Sequence, residues 1–382
     1  MTAAQDLVLS NANIVLADEI VAGSVLVRDG RIIDIGSKSA LPSSEDMDGD
    51  YLIPGLVELH TDHLEGHYAP RSTVRWHPAA AVLAHDAQLA SSGVTTVFDA
   101  IRLGMDAYAQ LKIADMRELA NAIEDTGGAG NLRADHFIHL RCEVSSSDCL
   151  GAFSEFVERG RVRLASLMDH APGQRQFTDL ETYRAFHRPK SGVTDEEFEA
   201  FCAQRITESQ TYSASNRRAI ADICRERGVV VASHDDATVD HVGESVRDGA
   251  RVAEFPTTLH AATAAREAGL AILMGAPNVV RGASHSGNIA ASELAEAGLL
   301  DILSSDYIPF SLIQAAFRLD RLVDAISLPQ AIAMVSRTPA TAVGLEDRGE
   351  IAPGKRADLV RVGSGRDVPV VRSVWREGKR VA

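Results

Sequence analysis

The chain has 382 residues, which is enough for one large domain with a small companion or for two medium domains. Hydrophobic residues make up 45% of it and charged residues 24%, so disordered and collagen-like classes are excluded. Its 38 basic and 53 acidic residues give a net charge of −15, which argues against a nucleic-acid partner held by a broad basic surface. The four cysteines form no C-x-x-C pair, so we expect reduced, buried thiols.

Both ends of the chain have the pattern of β-structure. Near the N-terminus, two β-branched runs flank Asp29-Gly30, a dipeptide typical of a tight hairpin turn. The last 35 or so residues alternate in a Val-rich pattern interrupted by Gly and Pro. Neither end can bury a core alone, so we expect segments 1–53 and 346–382 to form one small β-sandwich domain together. The sequence has no visible signal peptide or membrane-spanning stretch, which predicts a cytoplasmic protein with no membrane partner.

The middle segment, 54–345, alternates short apolar runs with helical stretches, as in α/β proteins whose parallel strands are covered on both faces. Eight such runs predict a (β/α)₈ TIM barrel. The predicted strands are 51–60, 94–99, 136–143, 162–169, 229–234, 252–255, 271–274 and 302–306. An insertion at about 171–215 follows the fourth strand, and we expect it to be either a lid or a subunit contact in a homo-oligomer.

Metal-ligating residue types recur where these predicted strands end. Because the carboxyl ends of barrel strands meet at one mouth, these residues should form a ring there. Burying unpaired charges would cost several kcal/mol, and one or two divalent ions would neutralise them. The ring comprises His60, Asp62, Asp99, Glu143, Asp169, His170, His234, Asp235, Glu254 and Asp306.

Within this ring, imidazoles and carboxylates without thiolates favour Zn²⁺, with Mn²⁺ or Fe²⁺ as alternatives. Glu143 is our candidate for a carboxylate that bridges two ions. Asp306 is the candidate catalytic base, placed to accept a proton from the attacking water. Asp99 is explained equally by a structural role as a helix cap. The histidines interpreted as structural are His77, His85, His136, His139, His187 and His241.

A second polar cluster follows the seventh predicted strand and leads into a helix. Free backbone N–H groups at a helix start favour an anion, and barrels often bind phosphate after strands seven and eight. Arginines near the first three strands would add a cationic collar suited to phosphate, so a polyanionic substrate is expected. The candidate substrate-binding residues are Arg71, Arg75, Arg141, Arg281, Ser284, His285, Ser286, Gly287 and Asn288.

The chain resembles the amidohydrolase superfamily, whose metal-dependent barrels carry a small β domain formed by both termini. Its segment PGLVELHTDH is similar to the superfamily's P-G-L-[IV]-D-x-H-x-H, with Asp62 in place of the second His, and GEIAPGKRADLV is similar to the terminal G-x-I-x-x-G-K-x-A-D-L-V segment. The motifs HLRCEVS, MDHAPGQRQF, SHDD, EFPTT and RGASHSGN resemble the phosphonate-breakdown branch. The implied metal ligands are His60, Asp62, Glu143, His234 and Asp306, with His170 as a substitute for an absent sixth-strand His.

This resemblance implies a metal-dependent diphosphatase. The expected reaction cleaves the triphosphate of α-D-ribose 1-methylphosphonate 5-triphosphate, releasing pyrophosphate and leaving the 5-phosphate. A small sugar-phosphate would then be the polyanionic partner. Two alternatives stay open at this point: an amidohydrolase acting on an amide of a phosphorylated sugar or ring compound, and a metal-free barrel kept as an assembly partner.

Overall fold

The computed structural model describes residues 6–36, 44–105, 109–284, 287–363 and 368–382. These residues form two eight-stranded sheets, one from both ends of the chain and one from its middle. This architecture confirms the predicted α/β fold, a TIM barrel with a separate sheet from the termini. The domain boundaries at 53/54 and 345/346 remain a proposal.

The N-terminal part of the terminal sheet begins with the predicted hairpin. Asp29 and Gly30 both have positive φ angles, 50° and 75°, as the tight turn between two twisted strands requires. The strands of this part are β1 (Leu7–Val15), β2 (Ile20–Arg28), β3 (Arg31–Gly36), β4 (Glu45–Asp46) and β5 (Tyr51–Pro54).

The middle of the chain supplies eight parallel strands, which pair with one another in chain order. They are β6 (Leu56–Thr61), β7 (Val94–Leu103), β8 (Asp135–Glu143), β9 (Val162–Met168), β10 (Val230–His234), β11 (Ala250–Glu254), β12 (Ala271–Gly275) and β13 (Ile302–Ser304). The first and last of these meet through a parallel bridge between Thr61 and Asp306. Two backbone bonds join the same seam, Asp306 N to His60 O at 3.1 Å and Asp62 N to Asp306 O at 3.3 Å.

The C-terminal strands return to the terminal sheet. They are β14 (Leu359–Gly363), β15 (Val370–Arg376) and β16 (Lys379–Arg380). The sheet order is β16-β15-β14-β5-β1-β2-β3, with β4 beside β1. β14 therefore pairs with β5, which brings the two ends of the chain into one sheet.

The predicted first barrel strand, 51–60, is wrong as a single strand. It is divided at Gly55 into β5, which belongs to the terminal sheet, and β6, which belongs to the barrel. A Cβ atom at position 55 would lie 2.2 Å from Thr95 Oγ1, so only glycine fits this crossing point. A continuous apolar run hides the division because both halves are buried.

An apolar layer fills the barrel below its mouth. It includes Val57, Phe98, Leu164, Val252 and Leu273, which come from five different strands and are at most 1% exposed. Ala340 and Val343 pack against the same layer. Polar side chains of the strands are consequently functional candidates only at the other end, where the βα loops begin.

Helices cover the barrel. Their bounds are α1 (His63–Tyr68), α2 (Pro78–Ser91), α3 (Ile113–Gly128), α4 (Cys149–Phe156), α5 (Leu180–Ser191), α6 (Asp195–Arg227), α7 (Val239–Arg247), α8 (Leu259–Glu267), α9 (Ala276–Arg281), α10 (Ala291–Glu296), α11 (Ser311–Leu322), α12 (Leu328–Ala333) and α13 (Arg337–Ala342). Within the described residues, none of these helices has the length and apolar character needed to cross a bilayer.

The insertion after the fourth barrel strand continues without a break into the next helix. It consists of a short 3₁₀ turn (Arg175–Phe177), α5 and the first half of α6, which runs for 33 residues without a break. Thr194 and Glu197 form a capping box at the start of α6, and Gly228 ends it in the left-handed conformation. The predicted insertion of about 171–215 therefore ends within a continuous helix rather than at a helix start.

Candidate active site

The barrel mouth contains a cavity of about 860 Å³, including its open entrance. Its lining includes the imidazoles of His60, His170 and His234 and the carboxylates of Asp235 and Asp306. A concave site with a few convergent polar groups is typical of small-molecule binding. Its polar residues come from both the first and the last strands of the barrel, as expected of a mouth built by several βα loops.

Three residues at this mouth have a left-handed backbone although none is glycine. Asp235, Phe255 and Asp306 have φ angles of 56°, 53° and 55°. Asp235 and Phe255 directly follow β10 and β11, and Asp306 follows β13 by two residues. Such conformations carry a strain of about 1–3 kcal/mol and cluster at functional sites.

A first group of possible metal ligands consists of His60, His139 and Glu254, all at most 1% exposed. His60 Nδ1 lies 3.3 Å and His139 Nε2 3.8 Å from Glu254 Oε1. Among the described residues, His60 Nδ1 and Glu254 Oε1 nevertheless have no partner with hydrogen-bond geometry. His139 Nδ1 donates to the Leu59 carbonyl at 3.0 Å, and its Nε2, the nitrogen that lies nearer Glu254, forms a hydrogen bond with Ser166 Oγ.

A second group consists of His170, His234 and Asp235, and it lines the cavity. Asp235 Oδ2 lies 3.5 Å from His170 Nε2 and 3.6 Å from His234 Nε2. Among the described residues, this buried oxygen has no hydrogen-bond partner.

Each imidazole of the second group donates its Nδ1 proton to a carboxylate behind it. The acceptors are Glu143 Oε2, 2.7 Å from His170, and Glu254 Oε2, 3.1 Å from His234. A carboxylate behind the ring is the usual arrangement of metal-binding histidines, because it fixes the tautomer that presents Nε2 to the ion. The unpartnered oxygens and this orientation both fit a divalent metal.

The electrostatics of the first group and of His234 agree with this fit. Burial lowers the pKa of His139 to about 3 and also lowers the pKa of His234, so both rings are neutral at pH 7. Neutral imidazole is the form that binds metal. Burial disfavours the charged form of Glu254, but His60 and His139 outweigh it and hold the pKa of that carboxyl well below its usual range.

The pKa values of His170 and Asp306 are instead raised. Burial disfavours the charged form of His170, but Glu143 and Asp235 outweigh it and raise the pKa of His170 to about 9. Burial, together with the negative charge of Asp62, raises the pKa of Asp306 to about 7. The carboxyl of Asp306 is thus poised to take up and release a proton near neutral pH.

Part of the cavity lining is suited to an anion. It includes four of the predicted substrate-binding residues, Arg141, Arg281, Ser284 and Asn288. Arg281 is the last residue of α9 and is exposed, whereas Arg141 belongs to β8 and lies 3.1 Å from Asp62 Oδ2. Cationic and polar side chains therefore line the same cavity as the imidazoles and carboxylates.

A sequence model described as an amidohydrolase family matches residues 87–382. This chain belongs to the amidohydrolase family. It is 46% identical over 377 residues to α-D-ribose 1-methylphosphonate 5-triphosphate diphosphatase of Escherichia coli K12, an alignment that covers 98% of this chain and all of the relative. It is also 26% identical to an imidazolonepropionase of Deinococcus deserti, over 94% of this chain and 92% of that one.

Solved structures of amidohydrolase type share the fold of this chain. A 5-methylcytosine deaminase from Klebsiella pneumoniae superposes with a TM-score of 0.65 at 15% identity, covering 98% of each chain. A putative prolidase from Bifidobacterium longum gives a TM-score of 0.64 at 19% identity, covering 99% of this chain and 94% of the other. At this level of identity the likeness concerns the fold alone.

Of the six predicted metal ligands, the structure places His60 in the first group and His170 and His234 in the second. Asp62, Glu143 and Asp306 lie outside both groups. The remaining members of the groups are His139, Asp235 and Glu254. Asp235 and Glu254 belong to the predicted ring, whereas the sequence pattern favoured a structural role for His139.

The alternation of polar residues along β8 is the signal by which His139 could have been found. His139, Arg141 and Glu143 are spaced two residues apart, so they share one face of the strand. The same rule explains Asp99, which does not join the ring: it shares a face with Ile101 and Leu103, which pack in the outer core. Asp99 bonds His85 at 2.9 Å and His136 at 2.7 Å there.

Other predicted substrate-binding residues lie apart from the cavity. Arg71 is exposed, and Arg75 bonds Asp115 at 3.3 Å and the Gln110 carbonyl at 2.6 Å. Gly287 is exposed and is not part of the cavity lining, and His285 and Ser286 lie outside the described residues. Sequence reasoning missed three polar residues of the lining, Gln176, Asn278 and Tyr307.

Proposed function

We propose that this chain hydrolyses α-D-ribose 1-methylphosphonate 5-triphosphate to pyrophosphate and α-D-ribose 1-methylphosphonate 5-phosphate. The observation that carries the proposal is the 46% identity to a diphosphatase of that substrate over essentially the whole of both chains.

The cavity suits a substrate of this charge. A triphosphate and a phosphonate together carry at least four negative charges near neutral pH, which a protein of net charge −15 can accept only where positive charge is concentrated. Arg141 and Arg281 supply such charge in the cavity lining. Ser284 and Asn288 add hydrogen-bonding groups for phosphate oxygens.

His60, His139 and Glu254 would hold one divalent ion, and His170, His234 and Asp235 a second. Zn²⁺ is the proposed metal, because imidazole and carboxylate ligands without thiolates suit it. When bound, a divalent ion supplies positive charge that polarises phosphoryl oxygens and acidifies water. Asp62 and Glu143, outside both groups, then act through hydrogen bonds to Arg141 and His170.

The proposed reaction needs a proton acceptor for water and a site for the leaving group. Water attacks a phosphorus of the bond between the first and second phosphates, and Asp306 takes up the water proton, since its raised pKa lies close to neutral pH. The bridging P–O bond breaks, and its electron pair goes to pyrophosphate if water attacks the first phosphorus and to the 5-phosphate if water attacks the second. Arg281 and Asn288 would hold the pyrophosphate product by charge-assisted hydrogen bonds until it departs.

The test is a product assay on the purified full chain loaded with Zn²⁺. We expect pyrophosphate and the 5-phosphate in equal amounts, and chelation should stop the reaction. Reaction in ¹⁸O-labelled water identifies the attacked phosphorus, because the label enters either the 5-phosphate or pyrophosphate. Release of orthophosphate alone, or activity that survives exhaustive chelation, would contradict the proposal.

Two further parts of the proposal concern the protein's setting. A reducing, cytoplasmic location rests on the four cysteines, all of which are free and buried. Assembly as a homo-oligomer remains a prediction, measured by light scattering of the purified chain.

A further inference from the structure

Helix α6 is unusual in burying a polar face. Arg205, Ser209, Asn216 and Arg217 lie along it and are between 3% and 7% exposed. Most of their hydrogen bonds go to the carboxyl ends of β8 and β9 and the loops after them: Asn216 Nδ2 donates to the Val144 carbonyl at 2.9 Å, and Ser209 Oγ donates to Asp169 at 2.8 Å. Helix α6 therefore anchors the loops that follow β8 and β9.

Arg205 is the member of this face that is nearest to the active site. Its Nη2 donates to Ser145 Oγ at 2.6 Å and lies 3.4 Å from Glu143 Oε1. Ser145 Oγ in turn donates to the same Glu143 oxygen at 2.6 Å. The other arm, Nη1, donates to Glu208 at 2.8 Å. A buried guanidinium is stable only when it is paired in this way.

Both oxygens of Glu143 are consequently engaged. Oε1 accepts from Ser145, Arg205 and the backbone N–H of His170, the last at 3.0 Å. Oε2 accepts from His170 Nδ1 at 2.7 Å. A carboxylate held at both oxygens is suited to orienting a neighbouring ring and poorly suited to bridging two ions, the role the sequence predicted for Glu143.

We propose that Arg205 is a positioning residue for metal binding: through Ser145 and Glu143 it holds His170 with Nε2 directed toward Asp235 and His234. The inference rests on the proposed function only in taking the second group as a metal site. Arg205 is not part of the cavity lining, so we do not call it a catalytic residue.

Arginine is needed because a single planar guanidinium group donates hydrogen bonds to two acceptors, Ser145 in the loop after β8 and Glu208 on α6. Lysine at this position would keep the charge but would have a single donor centre, and so could not serve the Ser145 side and Glu208 with the same geometry. A lysine variant should therefore recover only part of the function, whereas a role that depended on charge alone would be recovered in full.

The experiment measures Zn²⁺ affinity by chelator competition, without substrate, in the full chain, Arg205→Met, His170→Ala and the double variant. We expect Arg205→Met to weaken the Zn²⁺ site that includes His170 by about 10–100-fold, the usual effect of removing an outer partner of a metal ligand. In the His170→Ala background, the same change should have almost no further effect, because its route to the metal is already removed. Arg205→Lys should fall between.

Ser209→Ala is the matched control, since Ser209 lies one turn further along the same buried face and Ser213 also bonds Asp169, at 2.6 Å. Its affinity for Zn²⁺ should be unchanged. An unchanged affinity in Arg205→Met, or an equal loss with and without His170, would overturn the inference. Because no substrate is used, these results do not depend on the product assay, so failure of the diphosphatase activity and failure of the Arg205 role are distinguishable.

Discussion

The two candidate metal groups differ in their access to solvent. His60, His139 and Glu254 are buried on every side, and only His60 reaches the cavity. His170, His234 and Asp235 all line the cavity, and the His170 side chain is 27% exposed. Closed sites in proteins are typically structural and open ones catalytic. We therefore infer that the closed group (His60, His139 and Glu254) stabilises the barrel mouth. The open group (His170, His234 and Asp235), together with Asp306, would contact the substrate.

The largest expected effect is at Asp306, on the open side. Asp306→Asn removes the proposed proton acceptor but keeps its size and its backbone bonds to His60 and Asp62. We expect kcat for pyrophosphate release to fall by about 10²–10⁴-fold, the range for loss of a general base. The fold should be retained, as measured by circular dichroism. Normal turnover would exclude Asp306 as the proton acceptor.

The next prediction compares the two groups. Glu254→Gln changes a carboxyl group of the closed group that contacts His60, His139 and Ser166 and also accepts a hydrogen bond from His234 of the open group. We expect it to lower the free energy of unfolding of the metal-free protein by about 1–3 kcal/mol, because buried polar atoms lose their partners.

His170→Ala, in the open group, should destabilise the metal-free protein less than Glu254→Gln and act mainly on Zn²⁺ affinity. Denaturant unfolding of the metal-free proteins gives the free energy of unfolding of each variant, and chelator competition gives its affinity for Zn²⁺. If the His170 variant were the less stable one, the distinction between a closed and an open group would be wrong.

A smaller effect is expected among the arginines. Arg281→Met removes a cation from the cavity lining and should raise KM about tenfold, because one charge-assisted contact is worth about 1.5–3 kcal/mol at most. Arg75→Met is the matched control, since Arg75 pairs with Asp115 away from the cavity. Steady-state kinetics should leave the KM of the Arg75 variant unchanged. An equal rise in KM for both variants would indicate that Arg75 also contacts the substrate.

The last prediction concerns how the stability of the folded protein depends on pH, outside the active site. His136 lies between Asp86 and Asp99, whose charges outweigh burial and raise its pKa to about 9 from an ordinary 6.5. The folded state therefore binds this proton more tightly than the unfolded chain, so its stabilisation is complete below pH 6.5 and is lost as pH rises through about 9.

Denaturant unfolding between pH 6.5 and 9 should accordingly show a decline of at most about 1.4 kcal/mol per pH unit from this residue. His136→Gln should remove that part of the slope. A slope equal in the variant and the original chain would mean that His136 does not bind its proton more tightly on folding.

The fold could be predicted from the sequence because parallel barrel strands are buried on both faces and give short apolar runs. For the same reason the sequence did not show the break at Gly55, where one continuous apolar run contributes β5 to the terminal sheet and β6 to the barrel. The open group was largely predictable, since His234 ends β10, and Asp235 and His170 follow β10 and β9 by one and two residues. His139 was not, because it lies four residues before the end of β8, where a buried histidine has the pattern of core.

The insertion was the least predictable part of the chain. Its polar residues, such as Arg205, have the pattern of a solvated helix when only the sequence is considered. Their burial follows from packing against β8 and β9, elements that precede α6 by dozens of residues. Such long-range polar contacts carry no local periodic signal, so Arg205 could be recognised only in three dimensions.

The seam of the barrel also constrains biosynthesis. The backbone of Asp306 bonds that of His60, so the first and last strands complete the mouth together. A nascent chain that has not yet emerged from the ribosome beyond Asp306 cannot close this seam, because the last strand is missing. The complete mouth, with Asp306 beside His60, is therefore expected to form only after most of the polypeptide has been translated.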